Sequence, residues 1–176
     1  MYRRRFLIGV ACLPPVTVAG CLGDDEDADD EPTRDDLSTY DEDGLSRYEQ
    51  AYDAAQQAID DFTEQLEPIV TDAPGDISGS EAFAAEQWAQ SLAETFSDLH
   101  DEFMAALYLS ETPAFNLPSL EAATWAREHA GVCEEFYISA ATLRGIETAT
   151  ERYSIASTLD EPTHPDTVLE LVLEHY

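Results

Sequence analysis

The sequence predicts an all-α fold, an antiparallel three-helix bundle with a short additional C-terminal helix. Three observations support this prediction. Apolar residues recur at alternating steps of three and four over long stretches, which places them on one face of a helix. Segments that contain proline and glycine separate those stretches. No stretch alternates polar and apolar residues in the manner of a strand, and no hairpin turn is evident.

The first helix is predicted to begin near Gly44 and to end at Pro68. Ser46 and Glu49 have the spacing of a capping box, in which each side chain satisfies a free backbone N–H group of the other residue. Segment 41–44 looks like part of a calcium-binding loop, but that loop's first and last positions lack their acidic residues, so a helix-entry turn is expected instead. The apolar stripe consists of Leu45, Tyr48, Tyr52, Ala55, Ile59, Phe62, Leu66 and Ile69.

A loop over residues 70–79 precedes the second predicted helix, which runs from about Glu81 to Ser110. Thr112 and Pro113 end it, because proline cannot continue the backbone hydrogen bonding of a helix. Its stripe consists of Trp88, Leu92, Phe96, Leu99, Phe103 and Leu107.

The third helix is predicted to extend from about Leu120 to Thr158, with a kink at Gly131 or Gly145. Glu147 falls on its inner face, where a buried carboxylate requires a partner such as Arg144. The inner face carries Trp125, His129, Val132, Cys133, Phe136, Ala140, Leu143, Ile146 and Tyr153.

A proline-containing loop over residues 160–165 leads to a short helix from Thr167 to Tyr176. Thr167 and Glu170 have the spacing of a second capping box, which marks the start of this helix.

The chain is predicted to have three parts: a signal peptide over residues 1–20, a lipidated cysteine and acidic disordered linker over 21–43, and the helical bundle domain over 44–176. Within the linker, residues 24–31 are acidic at seven of eight positions. Such a run cannot bury apolar surface and is expected to remain a solvated spacer.

The signal peptide is predicted from three arginines followed by an apolar segment over residues 6–22. Pro14 and Pro15 interrupt that segment, and a membrane-spanning helix needs about 20 predominantly apolar residues in succession. The segment is therefore a poor permanent span and a good signal-peptide core. Small residues precede Cys21, as a signal peptidase requires.

Two motifs in this segment resemble known export signals. Arg3 and Arg4, followed by Phe6 and Leu7, resemble the signal of the twin-arginine translocase. The run of Val18, Ala19, Gly20 and Cys21 resembles a lipobox. The resemblance implies that Cys21 receives a lipid, and that the protein is anchored to the extracytoplasmic face of the cell membrane.

The composition is strongly acidic, with 38 Asp and Glu residues against eight Lys and Arg, and a formal net charge of −30. All eight basic residues are arginine. This pattern resembles the proteins of extremely halophilic archaea, in which molar salt screens the repulsion between acidic groups. The absence of a basic patch excludes nucleic acid as a partner.

The chain has three cysteines, of which Cys12 lies in the signal and Cys21 is the predicted lipid site, so that Cys133 has no partner for a disulfide. Cys133 follows His129 by four positions, which places both on one helical face. Together with His100 they could ligate a soft metal. The alternative is a core histidine, hydrogen-bonded to a carbonyl, beside an inert buried thiol.

No cofactor is expected. The Glu-x-x-His motif of ferritin-like carboxylate sites occurs only at Glu161 to His164, in a proline-rich loop. The sequence contains no evident catalytic constellation either, so enzymatic activity is not predicted.

The sequence favours a lipid-anchored interaction or accessory module with a possible membrane-protein partner. The alternative function is a small-ligand or metal-binding bundle centred on His129, Cys133 and His100. An exposed apolar patch would favour a partner, whereas a polar cavity around His129 would favour a ligand.

Overall fold

The computed structural model describes residues 32–72, 79–142 and 147–176. These residues belong to one compact unit, Pro32–Tyr176. The predicted signal peptide, Cys21 and the acidic run therefore lie outside the described residues. Within the described part of the chain, no helix has the length and apolar character needed to cross a membrane.

The described unit is an all-α bundle, as the sequence predicts. It contains six α-helices: α1 (Thr39–Gln65), α2 (Glu67–Asp72), α3 (Gly79–Leu109), α4 (Asn116–Thr142), α5 (Glu147–Ala156) and α6 (Pro165–Leu173). Two single turns of 3-10 helix, Arg34–Asp36 and Pro113–Phe115, precede α1 and α4.

Helix α1 begins earlier than predicted, because Ser38 rather than Ser46 is its N-cap. The Ser38 side chain accepts a hydrogen bond from the backbone N–H of Asp41 at 3.1 Å, which satisfies one of the free N–H groups of the first turn. Segment 41–44 is thus the helix-entry turn that the sequence predicts, and it lies within the folded unit rather than in the linker.

Helix α3 packs against α1 on one side and against α4 on the other, and its neighbours run antiparallel to it. Phe96 of α3 contacts Phe62 of α1 and Trp125 of α4 through edge-to-face rings. At the other end, Gly44 allows α1 to approach α3 so closely that an added Cβ would lie 3.2 Å from the Ala106 carbonyl oxygen. The predicted stripe of α3 is buried at Leu92, Phe96, Leu99 and Phe103, but Trp88 is exposed and Ala89 faces the core in its place.

The prediction of a single third helix over residues 120–158 is wrong. Helix α4 ends at Thr142, and α5 runs back along α4 in the opposite direction. The Arg152 guanidinium lies against Gly131 of α4, and the Tyr153 ring stacks on Phe62 of α1 with centroids 5.9 Å apart. Helix α5 therefore fills the groove between α1 and α4, which one continuous helix would leave open. Helix α4 continues through Gly131, whereas Gly145 lies outside the described residues.

The new direction of α5 also changes which of its residues face the core. Ala149 and Ala156 are buried, whereas Glu147 is exposed. The predicted burial of Glu147 is therefore wrong, and its expected partner Arg144 lies outside the described residues.

Helix α6 begins at Pro165, with His164 rather than Thr167 near the cap position: the His164 ring accepts a hydrogen bond from the backbone N–H of Asp166. Proline suits the first position of a helix, because its missing N–H would be unsatisfied there in any case. A hydrogen bond connects α1 with the segment before α6: the Tyr48 hydroxyl donates it to the Thr163 carbonyl oxygen at 2.9 Å.

Candidate functional site

A cavity of about 220 Å³ lies beside His129. Helices α1, α2, α4 and α5 form its walls. Its floor is apolar and aromatic, with Phe62 and Trp125 almost completely buried. Its polar groups come from His129, Tyr153 and Glu67, together with the exposed Glu161.

His129 is held in this cavity wall by hydrogen bonding and ring packing. Its Nδ1 lies 2.9 Å from the carbonyl oxygen of Trp125, and since a carbonyl only accepts, Nδ1 is the donor. The imidazole packs against Trp125, Phe96 and Phe62, with ring centroids 4.5, 5.3 and 5.6 Å away. This arrangement is that of a core histidine bonded to a carbonyl. It leaves Nε2 of the neutral ring as an acceptor.

Burial lowers the pKa of His129 below its usual value and outweighs the opposing effects of the Trp125 carbonyl and of Glu128 and Glu161. The imidazole is therefore neutral at pH 7. The uncharged ring suits an aromatic environment, where an unpaired positive charge would be costly.

Tyr153 and Glu67 form the opposite wall, where the Tyr153 hydroxyl donates a hydrogen bond to a Glu67 carboxylate oxygen. Burial, the hydrogen bond and the charge of Glu67 raise the pKa of Tyr153 to about 12. Tyr153 is therefore a donor at neutral pH and is not available as a base.

Cys133 lies one turn beyond His129 on α4 and is completely buried. Burial, with the nearby charge of Glu134, raises the pKa of its thiol to about 12. Thiolate is the form that attacks electrophiles and binds metals, so this protonated thiol is an inert core residue.

His100, the third predicted metal ligand, belongs to a different environment. It lies on α3, where its Nδ1 donates to the Ala123 carbonyl oxygen at 2.9 Å, and it lines a separate cavity that shares no residue with the one at His129. The structure therefore does not bring His100 to the His129 cavity. In the described part of the chain, no three His, Cys, Asp or Glu side chains are arranged to hold a metal ion.

A second polar centre, which the sequence did not predict, surrounds the buried carboxylate of Asp41. One carboxylate oxygen, Oδ1, accepts hydrogen bonds from the Ser110 hydroxyl and from the backbone N–H groups of Glu111 and Thr112. The other, Oδ2, accepts from the hydroxyls of Ser38, Thr112 and Tyr176. We call these residues the Asp41 cluster.

The Asp41 cluster joins three distant parts of the chain: the start of α1, the end of α3 and the C-terminal residue. All its donors are neutral, and every interaction is internal, so its role is structural. A sequence signal for it existed in the Ser-x-x-Asp spacing of Ser38 and Asp41, which is typical of a helix start. Because Ser38 and Asp41 fall within the predicted acidic linker over residues 21–43, this spacing was not interpreted as a helix start.

Comparison of the chain with protein-family models, with curated proteins and with solved structures finds no match.

The neutral state of His129 predicts a pH dependence of stability. Because its pKa is lower in the folded than in the unfolded protein, the unfolded chain binds more protons below pH ~6.5, and stability falls as the pH decreases through that region. We expect urea unfolding in 2 M KCl to show this loss between pH 7 and pH 5, and His129→Gln to reduce it. An unchanged slope in His129→Gln would assign the loss to other groups.

Proposed function

We propose that this protein is a lipid-anchored extracytoplasmic protein, tethered through Cys21, whose helical unit acts as an interaction or accessory module beside a membrane protein. The observation that carries the proposal is the order of residues 3–21: paired arginines, a short apolar run, and small residues directly before a cysteine. The lipid would hold the chain at the membrane surface.

The position of the folded unit is compatible with such a tether. The unit begins at Pro32, so ten residues separate it from Cys21. Ten residues span at most about 35 Å when extended, so the domain would remain close to the membrane surface. The acidic character of this segment favours hydration over contact with anionic lipid.

The large negative net charge of the chain supports the inference that the protein works in high salt. At 1 M salt the screening length is about 3 Å, so the acidic side chains of the surface would repel each other only weakly. Arg34 and Arg47 form surface ion pairs with Glu49 and Glu102.

Exposed aromatic side chains on α3 support a protein partner. Phe83, Trp88 and Tyr108 are 62%, 47% and 78% exposed. Aromatic residues carry much of the binding energy in protein interfaces. None of them belongs to the hydrophobic core of this unit.

Substitution of the lipid site tests the anchor. In Cys21→Ser, the protein is expected to move from the membrane fraction to the medium, because serine cannot form the thioether to the lipid. Cys12→Ser is the matched control, since it changes a cysteine in the same signal but outside the lipobox, and it should stay with the membrane. Full membrane retention of Cys21→Ser would refute the lipid anchor.

Affinity capture of the detergent-solubilised protein in 2 M KCl tests the accessory role. A partner recovered in stoichiometric amount, and lost in a Phe83→Ser/Trp88→Ser variant, would support an interaction module. A solitary protein would refute that part of the proposal.

The second candidate function is binding of a small ligand in the cavity beside His129. The specific observation in its favour is that His129, Glu67 and Glu161 line one partly apolar cavity. Its volume of about 220 Å³ lies below the roughly 300–1,000 Å³ of ordinary small-molecule sites, so only a very small ligand would fit.

A further inference from the structure

A cavity of about 310 Å³ lies where α3, α4 and α5 meet, apart from the His129 cavity and from the Asp41 cluster. Two arginines line it, Arg127 from α4 and Arg152 from α5. Its other polar residues are Ser97 and His100 of α3 and Glu134 of α4. Two cationic side chains in one cavity are unexpected in a chain with so few basic residues.

The arginines elsewhere in the described unit are held by carboxylates. Arg34 donates two hydrogen bonds to Glu49, at 2.7 and 3.1 Å. Arg47 does the same with Glu102, at 2.5 and 3.0 Å. Pairing is the expected state in a chain with 38 acidic residues, and the planar guanidinium fits a carboxylate in this bidentate geometry.

The two arginines of the cavity lack such partners. Arg127 makes no ion pair with any described residue. Arg152 has only Glu128, whose oxygen lies 3.7 Å from Nε, beyond hydrogen-bonding distance. Moreover, Nε of Arg152 is buried and has no hydrogen-bond partner. A ligand cannot reach this buried atom, so the terminal nitrogens of the guanidinium are the groups that Arg152 offers to the cavity.

Gly131 positions Arg152 at this cavity. An added Cβ on Gly131 would lie 2.1 Å from Cζ of Arg152 and 2.2 Å from its Nε. The guanidinium therefore rests on the bare backbone of α4, and any side chain at position 131 would displace it. The shape of α4, rather than a strong ion pair, fixes the position of this charge.

The α3 side of the cavity carries two further polar side chains, Ser97 and His100. Ser97 and His100 are three positions apart on one face of the helix. The bond from Nδ1 of His100 to the Ala123 carbonyl fixes the orientation of the ring. The Ser97 hydroxyl can thus donate a hydrogen bond from the side of the cavity opposite the two guanidinium groups.

We propose that this cavity binds a small oxyanion, a carboxylate or phosphate group, between Arg127 and Arg152. The guanidinium groups of Arg127 and Arg152 supply the charge-assisted hydrogen bonds, and the Ser97 hydroxyl supplies a neutral one. Glu134 at the same cavity disfavours ligands that carry several negative charges. The volume suits a compact molecule at the lower limit of ordinary ligand pockets.

Calorimetric titration of the full chain, purified in detergent and 2 M KCl, tests the proposal with inorganic phosphate and acetate as separate probes. One of them is expected to bind with a saturable heat, and the one that binds identifies the group that the cavity prefers. Arg127→Gln and Arg152→Gln should each weaken this binding by about 10- to 100-fold, as expected for the loss of hydrogen bonds from a charged group.

Two further variants separate binding from folding. Arg34→Gln removes an arginine that is already paired with Glu49, and its affinity should equal that of the original protein. Gly131→Ala keeps both cavity arginines but displaces Arg152, and it should weaken binding without lowering the helical circular dichroism signal. Absence of saturable binding for both probes, or equal affinity in all variants, would overturn the proposal.

Discussion

Replacement of Asp41 by alanine is expected to lower the free energy of unfolding by about 3–5 kcal/mol, because several partly or fully buried donors lose an acceptor at once. The reason is the number of donors that the carboxylate satisfies. Without it, the N–H group of Glu111 loses its acceptor at the end of α3, and that of Thr112 keeps only the Ser110 hydroxyl, at 3.2 Å. Each unsatisfied buried group costs about 1–3 kcal/mol. The first turn of α1 also loses a negative charge that its helix dipole favours.

The measurement is urea unfolding in 2 M KCl, followed by circular dichroism. Asp43→Ala is a matched control, because Asp43 is an aspartate in the same helix, two positions away, and is exposed. Its effect should stay within about 0.5 kcal/mol, as for ordinary surface substitutions. Equal effects of the two substitutions would show that the Asp41 cluster does not stabilise the fold.

Asp41→Asn is expected to cost less than Asp41→Ala, and this difference tests the detailed geometry. The amide oxygen can replace Oδ1 and accept from the two backbone N–H groups. The amide nitrogen would replace Oδ2, where the hydroxyls of Ser38, Thr112 and Tyr176 can rotate and accept instead of donating. Backbone donors cannot rotate in this way, so alanine is the more damaging residue.

The Asp41 cluster also predicts a loss of stability in acid. Burial alone would raise the pKa of Asp41, but hydrogen bonds from Ser110, Tyr176, Thr112 and Ser38 outweigh it and hold the pKa well below its usual range. Since the folded pKa is the lower one, this stabilisation is complete above the unfolded value of about 3.9 and is lost as the pH falls through the folded value. Asp41→Asn should flatten the stability profile below pH ~4.

The apolar periodicity was sufficient to predict the bundle, because helix packing depends on which face is apolar. The buried residues Leu45, Tyr48 and Phe62 follow the predicted stripe of α1. Trp88 shows the limit of this reasoning. Ala89, at the next position, faces the core, and the larger Trp88 side chain lies outside. Apolar character alone does not predict which of two adjacent apolar residues is buried.

The reversal between α4 and α5 could not be predicted from the pattern alone. Helices α4 and α5 both carry apolar residues at helical spacing, and one long helix would show a similar pattern. The reversal is visible only in tertiary contacts, namely the packing of Tyr153 on Phe62 and of Arg152 on Gly131. The sequence therefore indicated an unusual role for Gly131, but as a kink rather than as the position that accommodates an arginine.

The same reversal explains how far the candidate sites were predictable. His129 was expected in the apolar stripe, and it lies there, hydrogen-bonded to a backbone carbonyl. The cavity with Arg127 and Arg152 was not foreseen, because those residues are 25 positions apart and meet only when α5 folds back. The pairing state of an arginine is likewise a property of the folded chain and not of its composition.

Phe62→Ala is expected to destabilise the protein by about 3–5 kcal/mol, the usual cost of removing a large aromatic side chain from a core. Phe62 is 1% exposed, and its ring contacts Phe96 of α3, His129 of α4 and Tyr153 of α5. The substitution thus weakens contacts of α1 with three other helices at once.

Urea unfolding of Phe62→Ala should be compared with that of Phe83→Ala, which removes the same ring from an exposed position and should change stability by less than about 0.5 kcal/mol. Adding Tyr153→Ala completes a double-mutant cycle. A coupling energy of about 0.5–1.5 kcal/mol between Phe62 and Tyr153 is expected if their rings stack as described. A coupling near zero would mean that α5 does not pack on α1 at this point. The reversed direction of α5, and with it the meeting of Arg152 with Arg127, would then lose its main support.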